Sequence, residues 1–178
     1  MREGGKMTIK QKAQAGIAAD KKFVVHDKIS KKKTNDFHRI LEKLPYAVYT
    51  CDVQGRITFF NRAAANLWGR EPKLNKDLWC GSWKIFKPDG TPMPLEVTPM
   101  AKTLKESFEF INEEIIIERP NGERRHVISN PQLIYNTIGK ISGALNSFID
   151  ITDHQLLKQE ISESNNKLLR LENLVERI

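Results

Sequence analysis

In the stretch NDFHRILEKL the apolar residues Phe37, Ile40, Leu41 and Leu44 fall at i, i+3, i+4 and i+7. That spacing predicts a short helix with one apolar face, ended by Pro45. The period then drops to two. In AVYTCDVQGRITFFN, Ala47, Tyr49 and Cys51 alternate with Val48, Thr50 and Asp52, Gln54-Gly55 marks a turn, and Ile57 to Phe60 returns. This is a hairpin pattern. NRAAANLWG follows, with strong helix formers at Ala63 to Ala65 and a stop at Gly69.

The second half is richer in strand signals. FEFINEEIIIERPNGERRHVISNPQLIY places two strands around Pro120-Asn121-Gly122. Pro131 demotes the second of them, at that point, to an edge or a bulge. A turn at Asn136 to Lys140 leads to ISGALNSFIDIT, a further strand. The expected fold class is α+β: an antiparallel sheet of five strands with its helices on one face, plus a C-terminal coiled-coil helix.

That last helix has its own pattern. Thr152 followed by Gln155 forms a capping-box sequence. Beyond it Leu157, Ile161, Ser164, Leu168, Leu171, Val175 and Ile178 are spaced alternately four and three apart, an a/d seam interrupted only at Ser164. An amphipathic helix folded back on its own sheet would also bury such residues. The narrow stripe favours a partner helix instead, and thus a homodimer.

Charge alters the picture only at the N-terminus. The formal net charge is +7. Residues 1–35 hold ten Lys/Arg against three Asp/Glu, and the remainder holds nineteen of each sign. A tail this basic and this poor in large apolar residues predicts disorder. The expected domains are therefore a tail over 1–35, a folded domain over 36–153 and a coiled-coil helix over 154–178. A balanced domain argues against nucleic acid as a partner, leaving the tail as the one segment suited to it. Two cysteines, no signal peptide and no apolar run long enough to span a bilayer point to a cytoplasmic protein.

Two local features invite a pocket. Four of the eight prolines lie within KPDGTPMPLEVTPM, residues 87–100, too many for an ordinary helix. Trp68, Trp79 and Trp83 fall within sixteen residues. With Tyr49 and Phe148 they supply an aromatic lining, and the strand residues Asn130 and Asn146 supply the few polar groups a pocket needs. The same residues serve equally well as plain core.

From about Asp36 to Asp153 the chain resembles a PAS sensor domain of bacterial signal-transduction proteins. LPYAVYTCDVQGRITFFNRAA is similar to the family's opening, and ISGALNSFIDITD to its closing strand with the Asp-Ile-Thr ending. KPDGTPMPLEVTPM after Cys80 to Trp83 resembles a PAS subgroup whose proline-rich piece covers the ligand side of the sheet, before a central helix at about Pro99 to Glu106. The resemblance implies a signal junction at Asp150 and Thr152, with Asp150 pairing to a basic residue of the domain. It also implies a C-terminal helix that passes the signal between subunits to a kinase or other effector.

No Gly-rich phosphate loop, phospho-acceptor His box or cyclic-dinucleotide synthase run is present, so the chain is not expected to be an enzyme by itself. The cofactor stays unknown. Haem-binding relatives place a His on the central helix, and none lies between Pro94 and Ser107. Photosensory flavin relatives need Cys in an N-C-R-F-L-Q run, whereas Cys80 sits in W-C-G-S-W. The expected function is a sensor and dimerisation module binding a small ligand or a partner. The alternatives are the sensory fragment of a histidine kinase, and a nucleic-acid-binding regulator using the basic tail.

Overall fold

The computed structural model describes residues 36–175, so the basic stretch 1–35 and Ile178 lie outside the described residues. Two units are distinguished, Met1–Leu41 and Glu42–Ile178. In the first, residues 36–41 are helical and belong to α1, residues 36–42. Phe37 and Ile40 are exposed on it.

The second unit runs β1 (Ala47–Asp52), β2 (Ile57–Phe60), α2 (Arg62–Trp68), β3 (Lys84–Phe86), α3 (Pro99–Glu106), β4 (Glu113–Glu118), β5 (Arg124–Tyr135), β6 (Ile141–Asp150) and α4 (Thr152–Val175). The strands form one antiparallel sheet in the order β2-β1-β6-β5-β4-β3. The sheet thus has six strands rather than five. The extra strand is β3, paired with β4 from Lys84–Glu118 to Phe86–Ile116. Three residues are too few to display a period of two, so Lys-Ile-Phe carried no strand signal.

β3 also explains the prolines. Asp89 Oδ1 accepts from both the backbone N–H and the hydroxyl of Thr91, and Gly90 sits at φ +85°. This tight turn brings the chain back along the free edge of β3: Pro92 bridges Phe86, and Met93 N–H donates to Ile85 O at 2.8 Å. An outermost segment needs few backbone donors, so Pro92 and Pro94 are tolerated there and close the edge to further pairing. The segment is therefore first an edge guard. Met93 and Leu95 turn in to pack against the core, and Met100 at the segment's end is part of it. Pro99 then opens α3 at its first turn, where its missing N–H costs nothing.

Pro131 lies inside β5, between β6 and β4. β4 pairs only as far as Ser129, so β5 is a local edge from Asn130 onward. The Glu109 carboxylate accepts Leu133 N–H there at 2.9 Å. The β1–β6 pairing depends on Gly143, because a Cβ at that position would stand 2.2 Å from Cys51 O. The core occupies the sheet face beneath α2 and α3 and includes Tyr49, Ile57, Trp68, Met100, Ile115, Ile117, Val127 and Phe148.

Candidate functional site

Register and pleat build the centre of the site. Tyr49 on β1 stands directly opposite Asn146 on β6, and Ser129 on β5 opposite Phe148. Pleating turns all four inward, and each is buried. Trp68, the last residue of α2, is fully buried with its ring edge-on to Tyr49 at 5.2 Å and to Phe148 at 6.5 Å. Tyr49 stacks on Phe148 at 5.7 Å.

A polar chain runs through this aromatic cluster. The Asn146 amide donates to Ser129 Oγ at 2.9 Å and to the Tyr49 hydroxyl at 3.2 Å. Its Oδ1 accepts Asn130 N–H at 2.9 Å. Tyr49 OH in turn donates to Trp79 O at 2.8 Å. Each member supplies what its neighbour lacks, which is why an Asn is tolerated on a buried strand. The Trp68 indole N–H is the exception: it is buried without a hydrogen-bond partner.

Trp79 sits at the rim, half-buried, with φ +64°. A bulky residue in the left-handed region is strained. Here the strain is held by Tyr49 OH on its carbonyl and by its own N–H donating to Gly55 O at 2.7 Å. The ring lies against Gly55, where any Cβ would come within 2.3 Å of it, and Lys105 Nζ stands 5.2 Å from the ring centroid.

Burial holds the Tyr49 phenol well above its ordinary value, with the Cys80 and Cys51 thiols adding to the effect. Burial likewise pushes both thiols up; Cys80 lies against Ser82 Oγ at 3.2 Å. Protonated thiols are poor nucleophiles, so the arrangement favours binding and packing over covalent chemistry. Among the described residues no group of three His, Cys, Asp or Glu could hold a metal ion.

The structure therefore brings Tyr49, Trp68, Asn146 and Phe148 together, with Trp79 at their edge. Trp83 does not join them; its side chain is 57% exposed. It precedes β3 by one residue, and the hairpin onto the edge of that strand leaves it outside the core. The Asn130 side chain lies on the other face of β5 and accepts Asn112 N–H at 2.8 Å; only its backbone enters the Asn146 cluster. Sequence reasoning missed Ser129. The alternation Val127, Ser129, Pro131 would have placed it inward had the register to β6 been known.

A surface groove of about 460 Å³ reaches Phe148 from outside, between Pro45–Ala47, α2 and the end of β6. Arg119 lies in it and donates to Leu67 O at 2.9 Å and Asn66 O at 3.0 Å, holding the carbonyl end of α2.

β6 leads from Asn146 into a junction. Asp150 Oδ1 accepts the backbone N–H and the hydroxyl of Thr152, and Asp150 Oδ2 lies 3.7 Å from Arg125 Nη1. Thr152 Oγ1 accepts His126 N–H at 2.9 Å, and Ile151 N–H donates to His126 O at 2.8 Å. The capping box does not close. Gln155 turns its amide to Glu114 Oε1 at 2.9 Å, and Asp150 takes over at Thr152 N–H. Along α4, Leu157, Ile161 and Leu168 are exposed, as are Leu156 and Leu169. Leu171 and Val175 lie on the same helix. Among the described residues no helix is long and apolar enough to cross a membrane.

A family model described as "PAS domain" matches residues 45–153, more than half of the chain. Among solved structures, the PAS domain of the fruit-fly ELK potassium channel is 16% identical with a TM-score of 0.51, covering 67% of this chain and 97% of its own. The PAS domain of BvgS from Bordetella pertussis is 16% identical with a TM-score of 0.47, covering 75% and 98%. A sensory box histidine kinase/response regulator from Burkholderia thailandensis is also 16% identical, at a TM-score of 0.49 and coverage of 75% and 98%. No curated protein is matched.

Proposed function

The chain belongs to the PAS domain family, and from that premise we propose that it is a sensor module whose buried Asn146 cluster is coupled to α4 as its output. The observation that carries this reading is the placement of Asn146. One side chain ties β1, β5 and β6 together, four residues before the Asp150–Thr152 junction on the same strand. A change in its partners is transmitted along a hydrogen-bonded strand rather than through a flexible loop. The unpartnered Trp68 N–H gives a small ligand with an acceptor oxygen or nitrogen a ready donor, and the groove at Phe148 gives it an approach.

The output is a homodimer formed along Leu157, Ile161, Leu168, Leu171, Val175 and Ile178. Its support is that Leu157, Ile161 and Leu168 are exposed along α4. Burying each such Leu or Ile on a partner helix is worth roughly 1.5–3 kcal/mol, against several kcal/mol for association. The pair would hand its geometry to a cytoplasmic effector such as a kinase, the module itself carrying no catalysis. Native mass spectrometry with an absorption spectrum of the purified protein tests the ligand. A bound small molecule lost on Trp68→Phe or Asn146→Ala supports the reading; a mass equal to the bare polypeptide under all conditions counts against it.

A further inference from the structure

We infer that the turn from Leu78 to Gly81 is a latched lid over the buried cluster, with the Tyr49 hydroxyl as its latch. Cys80 N–H donates to Leu78 O at 2.7 Å, two residues back, and Trp79 between them has φ +64°. This is a γ-turn of the strained hand, with a bulky residue at its centre. The chain leaves the turn directly onto the core. Gly81 lies so close to the Trp68 ring that a Cβ there would stand 2.4 Å from Cε3, and Cys80 and Ser82 on either side are buried. Relaxation of Trp79 re-aims the residues that follow it and lifts Gly81 from Trp68.

Three contacts oppose that relaxation. Trp79 N–H donates to Gly55 O at 2.7 Å, Lys105 Nζ stands 5.2 Å from the ring centroid, and Tyr49 OH donates to Trp79 O at 2.8 Å. Arg70 also donates to Gly81 O at 3.0 Å, but Arg70 and its ion-pair partner Asp77 belong to the same loop as the turn. Of the three, Tyr49 alone reaches into the Asn146 cluster. A phenol carries one donor proton. The Asn146 amide donates to the Tyr49 oxygen, so that proton serves Trp79 O.

The sign follows from where the two partners sit. Tyr49 is fixed on β1, whereas the Trp79 carbonyl moves with the turn, so the bond exists in the closed turn and is absent from the open one. Removing the hydroxyl proton shifts the balance toward the open form, and the strained backbone favours the same direction. An acceptor oxygen or nitrogen that enters the cluster and takes the proton releases the lid. The lid is a property of the protein without ligand; its meaning as a gate rests on the ligand reading above.

Thiol labelling of the full chain tests the lid. The chain has two cysteines, both buried. In a Cys51→Ala background Cys80 is the one thiol, and its reaction with dithionitrobenzoate reports opening of the turn. Below the unfolding transition the rate is expected to be independent of urea, because a local opening exposes little surface. Tyr49→Phe is expected to raise that rate about two- to tenfold, the range for one hydrogen bond. Lys105→Met, which leaves the buried cluster intact, is expected to raise it about two- to fivefold, the range for an exposed cation–π contact. Labelling that follows global unfolding at every urea concentration overturns the lid. So does a urea-independent rate that Tyr49→Phe leaves unchanged or, should that variant not fold, one that Lys105→Met leaves unchanged. Because no ligand enters the experiment, the lid can fail while a ligand still binds, and the ligand reading can fail while the lid survives.

Discussion

The Asn146 amide nitrogen lies 3.2 Å from the Tyr49 hydroxyl across 97 residues of chain, directly opposite it in the β1–β6 register. Strand pairing sets the two backbones, and the side chains then close a bond between the central strands on the core face. Tyr49→Phe removes the hydroxyl and leaves the Trp79 carbonyl and one Asn146 proton without their partner. The expected loss is about 1–3 kcal/mol in urea unfolding. Asn146→Leu strands Asn130 N–H, Ser129 and Tyr49 together and is expected to cost more than Tyr49→Phe. Equal stability of Tyr49→Phe and the unmodified protein would show the bond to be idle.

Two glycines separate steric need from backbone need. At Gly143 an added Cβ meets the Cys51 carbonyl in the middle of the sheet, where nothing yields. Gly143→Ala should destabilise by about 3 kcal/mol or prevent folding. At Gly90 nothing lies within 4 Å, and only its φ of +85° resists a side chain. Gly90→Ala should cost about 1 kcal/mol. Comparable losses in the two variants would contradict the β1–β6 packing described above.

Alkaline pH provides an independent probe of the core. The fold raises the Cys51 and Cys80 thiols above their ordinary 9.0, mainly by burial. Above about pH 9 the unfolded chain releases these protons while the folded chain keeps them. Their contribution is therefore present below pH 9 and is lost as pH rises. Unfolding free energy between pH 8 and 10 should fall less steeply in the Cys51→Ala/Cys80→Ala double variant than in the unmodified protein. Parallel profiles would place the thiols in water.

The α4 seam predicts assembly. Ile161→Asp/Leu168→Asp should sediment as a folded monomer while the unmodified protein sediments as a dimer. A monomer at high concentration in the unmodified protein, or a dimer in the variant, would remove the seam from the output.

Much of this fold is legible from punctuation and period. Gln54-Gly55 and Asn121-Gly122 mark turns, Asn61 starts α2 by accepting Ala64 N–H, and Gly69 ends it in the left-handed region. These are local signals, written in neighbouring residues. What stayed hidden depends on distant ones. β3 is a strand because β4 is beside it, and the proline segment guards an edge that exists only once β3 has paired. Gln155 abandons Thr152 because Glu114, forty-one residues away in sequence, offers a carboxylate at 2.9 Å. Trp83 and Trp79 look equivalent in sequence, yet a strand edge sends one into water and a tyrosine hydroxyl holds the other at the rim.

The central claim is that Asn146 and the first turn of α4 are coupled through β6. Backbone hydrogen exchange of Asn146→Ala against the unmodified protein at one pH tests it most directly. The coupling predicts that protection at Ile151, Thr152 and Gln155 drops by more than it does at the distant β3 residues Ile85 and Phe86. An Asn146→Ala protein in which the α4 amides keep their protection, or lose it only in proportion to β3, would contradict the account.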